Sequence, residues 1–301
     1  MAAPTFPLVP KRRLVGLAFG GMRSVRRGSG SDVAGSRPYR PGDPVDRIDW
    51  AASARLSLAR GADEFVVREH YAEEAPRVVV FADRRPGMSV YPPEWPWLSK
   101  PAAIRACVRT IADSARAARG YVGFLDYGGG ERSWQPARSE REVGRQELDR
   151  PFRAPEGSLV RGLAFLGEQR RDLPTGTFLF VLSDFVPAPP REVWLRALEH
   201  RWDVVPVIVQ DPVWEQSFPD VGGIVIPFAD PGDGRVAFVR LTEREAAERR
   251  ERHERRLADL LAGFRALDLE PVLIGSSDPH DVAAAFLRWA ERRAFARGGK
   301  L

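Results

Sequence analysis

Five apolar runs in this chain end at or near an aspartate: Val78 to Asp83, Val122 to Asp126, Phe178 to Asp184, Val204 to Asp211, and Val272 to Gly275, which runs into Asp278. Short continuous apolar runs suit strands covered on both faces, as in a parallel sheet. A carboxylate just past such a strand lies at the carboxyl edge of the sheet, where open α/β sheets place their ligands. Asp83 and Asp184 are the pair that can converge there. Two neighbouring carboxylates repel unless a cation sits between them. Mg²⁺ is one such cation, because it prefers oxygen ligands. A guanidinium is another: Arg84 and Arg85 directly follow Asp83, and arginine pairs bidentately with carboxylate. A third reading makes Asp184 and Asp211 loop-starting or capping residues. Asp126 precedes a turn and Asp278-Pro279 opens a helix, so these two read as turn and cap.

Other catalytic chemistry is sparse. The chain has no GxxxxGK[ST] phosphate loop, no GxSxG elbow, no GxGxxG and no HExxH. His70, His200, His253 and His280 are scattered and have no paired nucleophile. The lone cysteine excludes an intrachain disulfide and a cysteine-cluster metal site. Cys107 shares a helical face with Ile104, Val108 and Ile111, which makes it core filling.

With 44% hydrophobic and 29% charged residues, the chain is an ordinary globular protein. No apolar stretch is long enough to span a bilayer, and the first residues lack a signal-peptide pattern. Cytoplasm is therefore the expected compartment. A net charge of +5 invites a nucleic-acid reading. The basic residues, all arginine apart from Lys11, Lys100 and Lys300, are instead interleaved with acids along the chain. The exception is an N-terminal arm, Lys11-Arg12-Arg13 and Arg23 to Arg27.

The rim residues need a scaffold, and the pattern after Pro76 supplies one. Strands and helices alternate from there on, which predicts βαβ units and a parallel sheet. Strands are expected over 78–83, 121–127, 177–183, 202–210 and 270–275, with a hairpin partner at 131–135. Helices are expected from Ser99 to Arg119, Ser158 to Arg171, Arg191 to His200, Thr242 to Leu267 and Asp281 to Ala296. Thr242 and Glu245 have capping-box spacing, and the charged half that follows reads as a solvated face with Glu245/Arg249, Glu248/Arg252 and Glu251/Arg255 pairs. A β-ribbon insertion covers about 222–241, turning at Pro231 to Gly234. The expected organisation is an extension over 1–75, with Gly28 to Ser31 as a loop and a strand from Glu64 to Tyr71, followed by an α/β domain over 76–301.

The rim resembles the von Willebrand factor A fold, whose metal-ion-dependent adhesion site reads Asp-x-Ser-x-Ser after the first strand. Here that loop is Asp83-Arg84-Arg85-Pro86-Gly87, with Arg85 and Gly87 at the serine positions. The resemblance implies Asp83, Ser158 and Asp184 as ligands of a metal such as Mg²⁺, within a three-layer, mainly parallel sheet carrying helices on both faces. The rival arrangement is a metal-free rim in which Arg84 or Arg85 pairs with Asp184. A second stretch, Arg37 to Arg55, contains Tyr39, Gly42-Asp43, Arg47-Ile48-Asp49-Trp50 and Ser53-Ala54-Arg55. It resembles the signature of the bacterial family called domain of unknown function fifty-eight, as do Ser183-Asp184-Phe185 and Asp211-Pro212-Val213-Trp214-Glu215. Asp46 departs from the base usual at its place, with Arg47 beside it. In physical terms Gly42 permits a turn, Asp43, Arg47, Asp49 and Arg55 can tie the segment to the sheet by charge-assisted bonds, and Trp50 offers a buried anchor.

The resemblance implies a non-enzymatic scaffold that partners a MoxR-type AAA ATPase in assembling or activating protein complexes, through the rim of Asp83, Arg84, Arg85, Ser158 and Asp184. A metal-dependent hydrolase at the same rim is the alternative, and arginine-mediated nucleic-acid binding the second alternative.

Overall fold

The computed structural model describes residues 4–11, 22–61, 63–90, 98–137, 148–169, 171–230, 233 and 235–296, with only the backbone course for 22–35 and 69–74. Arg12, Arg13 and most of the expected 231–234 turn lie outside the described residues, as do the side chains of Arg23 to Arg27.

The leading segment forms β1 (Met22–Pro38), α1 (Trp50–Arg60) and β2 (Val66–Glu74), with β1 and β2 paired antiparallel. The Gly28 to Ser31 stretch, expected as a loop, runs within β1, and the pairing absorbs it through a register shift between Gly28 and Val33. Helix α1 was not expected. Asp49 starts it by accepting from Ala52 N at 3.0 Å, and Gly61 ends it in the left-handed region at φ 67°.

The body is a six-stranded sheet. It contains β3 (Arg77–Ala82), β4 (Tyr121–Asp126), β5 (Ser133–Gln135), β6 (Phe178–Ser183), β7 (Asp203–Val209) and β10 (Val272–Ile274), in the order β10-β7-β6-β3-β4-β5. All neighbours are parallel except the edge hairpin of β4 with β5. Alternate residues of each strand feed opposite cores, because side chains alternate across a strand. Val78, Val80 and Ala82 face α2 (Lys100–Ala117) and α6 (Pro279–Ala296). Val79 and Phe81 face α3 (Ser158–Glu168), α4 (Arg191–Glu199) and α5 (Glu243–Ala266). The architecture is thus three layers, a mainly parallel sheet with helices on both faces.

Residues 4–11, read as part of the extension, pack on this body. Phe6 stacks on Phe286 with centroids 4.7 Å apart and belongs to the α2/α6 core. Lys11 N donates to Asp203 Oδ2 at 2.7 Å, and Arg293 reaches both Asp203 and the Val9 carbonyl. Cys107 is fully buried in the same core, and burial pushes its thiol pKa up, in keeping with a packing role.

The ribbon is β8 (Val225–Ala229) paired with β9 (Val236–Arg240), and the Thr242–Glu245 capping box is formed. The charged half of α5 is more than a solvated face. Arg249 lies over the Phe228 ring at 5.0 Å, Arg250 donates to Phe218 O at 2.8 Å, and Arg256 donates to Glu215 O at 2.8 Å. His253 Nδ1 lies 3.0 and 2.9 Å from the Trp214 and Ser217 carbonyls, which only accept, so this nitrogen carries the proton. Of the expected i,i+4 pairs Glu251 with Arg255 forms, whereas Glu248 takes Arg244 and Glu245 is used in the cap.

One close approach tests this packing. A Cβ on Gly162 of α3 would come within 2.1 Å of the buried Phe81 ring. Gly162→Ala is expected to cost about 1–3 kcal/mol through overpacking, more than offsetting its better helix propensity. A lowered urea midpoint at unchanged m-value is the expected result.

Candidate functional site

The sheet order places a topological switch between β3 and β6. The chain leaves β3 towards α2 on one face and leaves β6 towards α4 on the other, so the two loops part and open a crevice at the carboxyl edge. Register fixes what lines it. Ala82 pairs with Leu182, and Asp83 N donates to Leu182 O at 2.9 Å, so Asp83 stands beside Ser183 and one residue from Asp184. The two rim aspartates converge as their strand positions implied.

Arg85 fills the space between them. Its backbone N donates to Asp83 Oδ1 at 2.9 Å, and its Nε and Nη2 donate to Asp83 Oδ2 at 2.9 and 2.7 Å. Nη2 also reaches Asp184 Oδ1 at 3.3 Å, while Nη1 donates to the Val186 carbonyl at 3.1 Å. Ser183 Oγ donates to Asp83 Oδ2 at 2.7 Å and accepts from Phe185 N at 2.9 Å. That second bond helps hold Phe185 at φ 54°, a strained value for a bulky residue.

Lys100 closes the other side. Its Nζ donates to Asp184 Oδ2 at 3.0 Å, to Glu215 Oε1 at 2.5 Å and to Gly87 O at 3.3 Å. The result is an alternating chain, Asp83–Arg85–Asp184–Lys100–Glu215, in which Lys100 is 1% exposed. Burial pulls the Lys100 pKa down, but Asp184 and Glu215 together outweigh it, so the ammonium is held above its ordinary value. Burial pushes Glu215 up, and the opposing pull of Lys100 does not fully cancel it. Arg85 stays charged for the same reason as Lys100: the pull of Asp83 and Asp184 exceeds the cost of burial.

Glu215 reaches Lys100 from the loop after β7. Asp211 Oδ1 accepts from Val213 N at 2.8 Å and Trp214 N at 2.9 Å, and Glu215 Oε2 accepts from Asp211 N at 2.8 Å. Asp211 thus folds the loop, Pro212 packs near Gly275, and Glu215 projects back to the rim.

Arg84 turns the opposite way. Its Nε donates to Asp126 Oδ2 at 3.0 Å and its Nη2 to Leu148 O at 3.0 Å, with the guanidinium 4.7 Å from the Phe152 ring centroid. Asp126 also accepts from Gly128 N at 3.1 Å, as a turn residue should. Of the two arginines considered for Asp184, only Arg85 takes it. Arg84 is buried and presents nothing to a partner, because successive side chains leaving a strand point to opposite sides. Ser158 begins α3 and is buried, yet its hydroxyl has no hydrogen-bond partner among the described residues and does not join the aspartates.

These contacts decide how a metal would fit. A Cβ on Gly87 would lie 3.8 Å from Asp184 Oδ2, so positions 85 and 87 both face the aspartates. The carboxylate oxygens, however, are engaged by a guanidinium and an ammonium. A divalent ion at its usual ~2.0–2.6 Å from these oxygens would sit against two fixed positive charges. The residues present do not fit a metal.

The Arg37 to Arg55 stretch folds on itself. Arg37 pairs bidentately with Asp43 at 2.6 and 2.7 Å, and Asp49 accepts from Arg68 of β2 at 2.8 Å. Arg37, with the Arg40 backbone N–H, holds the Asp43 carboxyl down at about 2, and Arg68 lowers Asp49. Gly42 adopts φ 102°, the turn expected of it. Ile48 bridges to Val67, and Tyr39 packs edge-on against Phe65. Two expectations are corrected. Among the described residues, the polar contacts of Asp43, Asp49 and Arg55 stay inside this unit and do not tie it to the six-stranded sheet, since partners near in sequence satisfy them first. Trp50 is 60% exposed and is not a buried anchor, because α1 turns its serines inward.

Lys100 and its link to Glu215 were missed in the sequence. A signal was present: Lys100 is one of three lysines in an arginine-rich chain and opens a helix, where the macrodipole disfavours positive charge. Only a local carboxylate makes that placement favourable.

Fold and site together define a three-layer α/β protein with a rim closed by internal ion pairs. Residues 35–259 match the family described as "Protein of unknown function DUF58", and the chain belongs to it. The "Uncharacterized protein Rv1480" of Mycobacterium tuberculosis and "Uncharacterized protein Mb1516" of Mycobacterium bovis are each 28% identical over 247 residues, spanning 77% of this chain and 71% of theirs. Among solved structures, the conserved hypothetical protein BatB from Bacteroides thetaiotaomicron aligns with 73% of this chain and 99% of its own at 13% identity and a TM-score of 0.41. An aerotolerance-related membrane protein from Bacteroides fragilis aligns at the same identity and score, over 72% of this chain.

The charge chain makes Lys100→Met a sharp test. Removing the cation leaves Asp184 and Glu215 facing each other, at an expected cost of about 3–5 kcal/mol near neutral pH. The folded state holds the Lys100 proton more tightly than the unfolded chain does. Its contribution is therefore complete below the ordinary lysine pKa and lost as pH rises through the folded one. Urea titrations across that alkaline range should show a decline in the native protein that Lys100→Met lacks.

Proposed function

We propose that this protein is a non-enzymatic interaction scaffold, working without a metal, whose rim docks a protein partner of the MoxR-type AAA ATPase class during assembly or activation of other complexes. The observation that carries this reading is Arg85 lying between Asp83 and Asp184. Asp83, Asp184 and Glu215 are each engaged by a cation, so none of the three is free to act as a general base or to polarise a water. What the rim offers is a rigid, charged, correctly shaped edge, with Arg85 partly exposed at its centre. The von Willebrand A likeness of that edge and membership of the family support the partner class. No described helix is long and apolar enough to cross a membrane. Within this reading the protein meets its ATPase in the cytoplasm.

Two measurements test it. The purified ATPase should bind the full chain, and Arg85→Glu together with Asp184→Ala should weaken binding at least ~tenfold, the loss expected when a central charged contact is removed. Retained binding by a variant of unchanged melting temperature would move the interface elsewhere. Arg85→Ser and Gly87→Ser combined with Lys100→Met, which removes both fixed charges, should create a metal site, seen as a rise in melting temperature at millimolar Mg²⁺ that the native chain lacks. A comparable rise in the native chain would refute the metal-free reading.

A further inference from the structure

Helix α1 is built inside out. Ser53 and Ser57 face β2 and bond to its approach: Ser53 Oγ accepts from Val66 N at 2.9 Å and donates to Asp49 O at 2.7 Å, and Ser57 Oγ accepts from Glu64 N at 2.9 Å. Beside these serines, Trp50, Ala54 and Leu58, spaced i, i+4 and i+8, form an apolar strip along the helix. Trp50 is 60% and Leu58 86% exposed, Ala54 is exposed, and Phe65 meets Trp50 edge-on at 6.0 Å while itself 44% exposed. Among the described residues of 36–68, Val67 is the sole buried apolar side chain. An isolated helix shorter than ~12–15 residues is marginal in water, so hydrogen bonds and the Asp49 cap hold α1, with almost no hydrophobic burial. Among the described residues the unit has no apolar core to cover this side, which faces outward as interface patches do.

The chemistry of the patch narrows its occupant. Trp50, Ala54 and Leu58 make a large–small–large profile, a notch into which a partner's side chain can insert. The helix carries Arg55 and Arg60 and no acid. Arg60 pairs with Glu64, but among the described residues Arg55 bonds only to the Ala51 carbonyl at 3.1 Å and Arg47 forms no salt bridge. The small Ala54 between two large exposed side chains suits an inserted side chain of a folded partner better than a flat lipid surface. We infer that the exposed Trp50–Ala54–Leu58 face of α1 is a docking site for a partner's amphipathic helix whose leucine-type stripe is bordered by carboxylates. This surface is separate from the rim and does not depend on the rim's role.

The test uses the full chain and a fluorescein-labelled synthetic 18-residue helix with leucines at i, i+4, i+7 and i+11 and glutamates beside them (about five turns, enough to span α1). Saturable binding by anisotropy is expected. Leu58→Asp and Arg55→Glu should each weaken it at least ~tenfold, a loss typical of a central interface residue. Both side chains are exposed, so melting temperatures should stay unchanged. A peptide with lysine replacing glutamate should bind at least ~tenfold more weakly, as charge complementarity requires. The inference is overturned by no saturable binding, or by equal binding of the lysine peptide. It is also overturned by a concentration-dependent dimer that Leu58→Asp abolishes in sedimentation velocity, which would make a second copy the occupant. Co-sedimentation with phosphatidylglycerol vesicles that Leu58→Asp abolishes would make the occupant a lipid surface.

Discussion

Two carboxylates buried side by side at the β3/β6 crevice must be neutralised, and much of the rim is arranged to do that. Asp83 and Asp184 are brought together by parallel register and by the divergence of the loops that follow. An unpaired buried charge costs several kcal/mol, and a like-charged pair costs more. Arg85 folds back onto its own strand end, Lys100 is placed at an unfavourable helix start, and the loop after β7 returns Glu215 to that lysine. Helix α5 then holds the loop by bonding to its carbonyls, so elements on both faces of the sheet are connected through the same charges.

A metal-dependent rim neutralises its acids with an ion that exchanges with solvent and offers open coordination positions. A guanidinium does so permanently, from within the chain. Here Gly87 faces Asp184, and the carboxylates of Asp83 and Asp184 are occupied by Arg85 and Lys100 in place of open coordination positions. The leading unit is the converse case: its polar groups are satisfied internally and its apolar groups are left outside.

Strand and helix placement in the α/β body was largely legible, because long apolar runs and capping patterns report local periodicity. The convergence of Asp83 and Asp184 was legible too, since parallel strands end on one edge. The partner of each was not. Arg84 and Arg85 are equivalent as letters, and only the direction in which each side chain leaves β3 sends one to Asp126 and the other to Asp184. In the leading segment Trp50 read as an anchor because large aromatics are usually buried. Its exposure accompanies the bonding of Ser53 and Ser57 to backbone at Val66 of β2 and at Glu64 just before it, contacts between residues 13 and 7 apart that no periodicity encodes.

Local chemistry in the chain therefore established the layered α/β class, the acidic edge, the family signature and the scarcity of catalytic groups, because these depend on residue type and near neighbours. The pairing of charges across the edge, the entry of Lys100 and Glu215, and the outward turn of α1 arise from contacts between distant segments. Their geometry exists only once β3, β6, β7 and the helices are packed, since a charge buried in a crevice is settled by whatever lies within about 3–4 Å of it and not by its place in the chain.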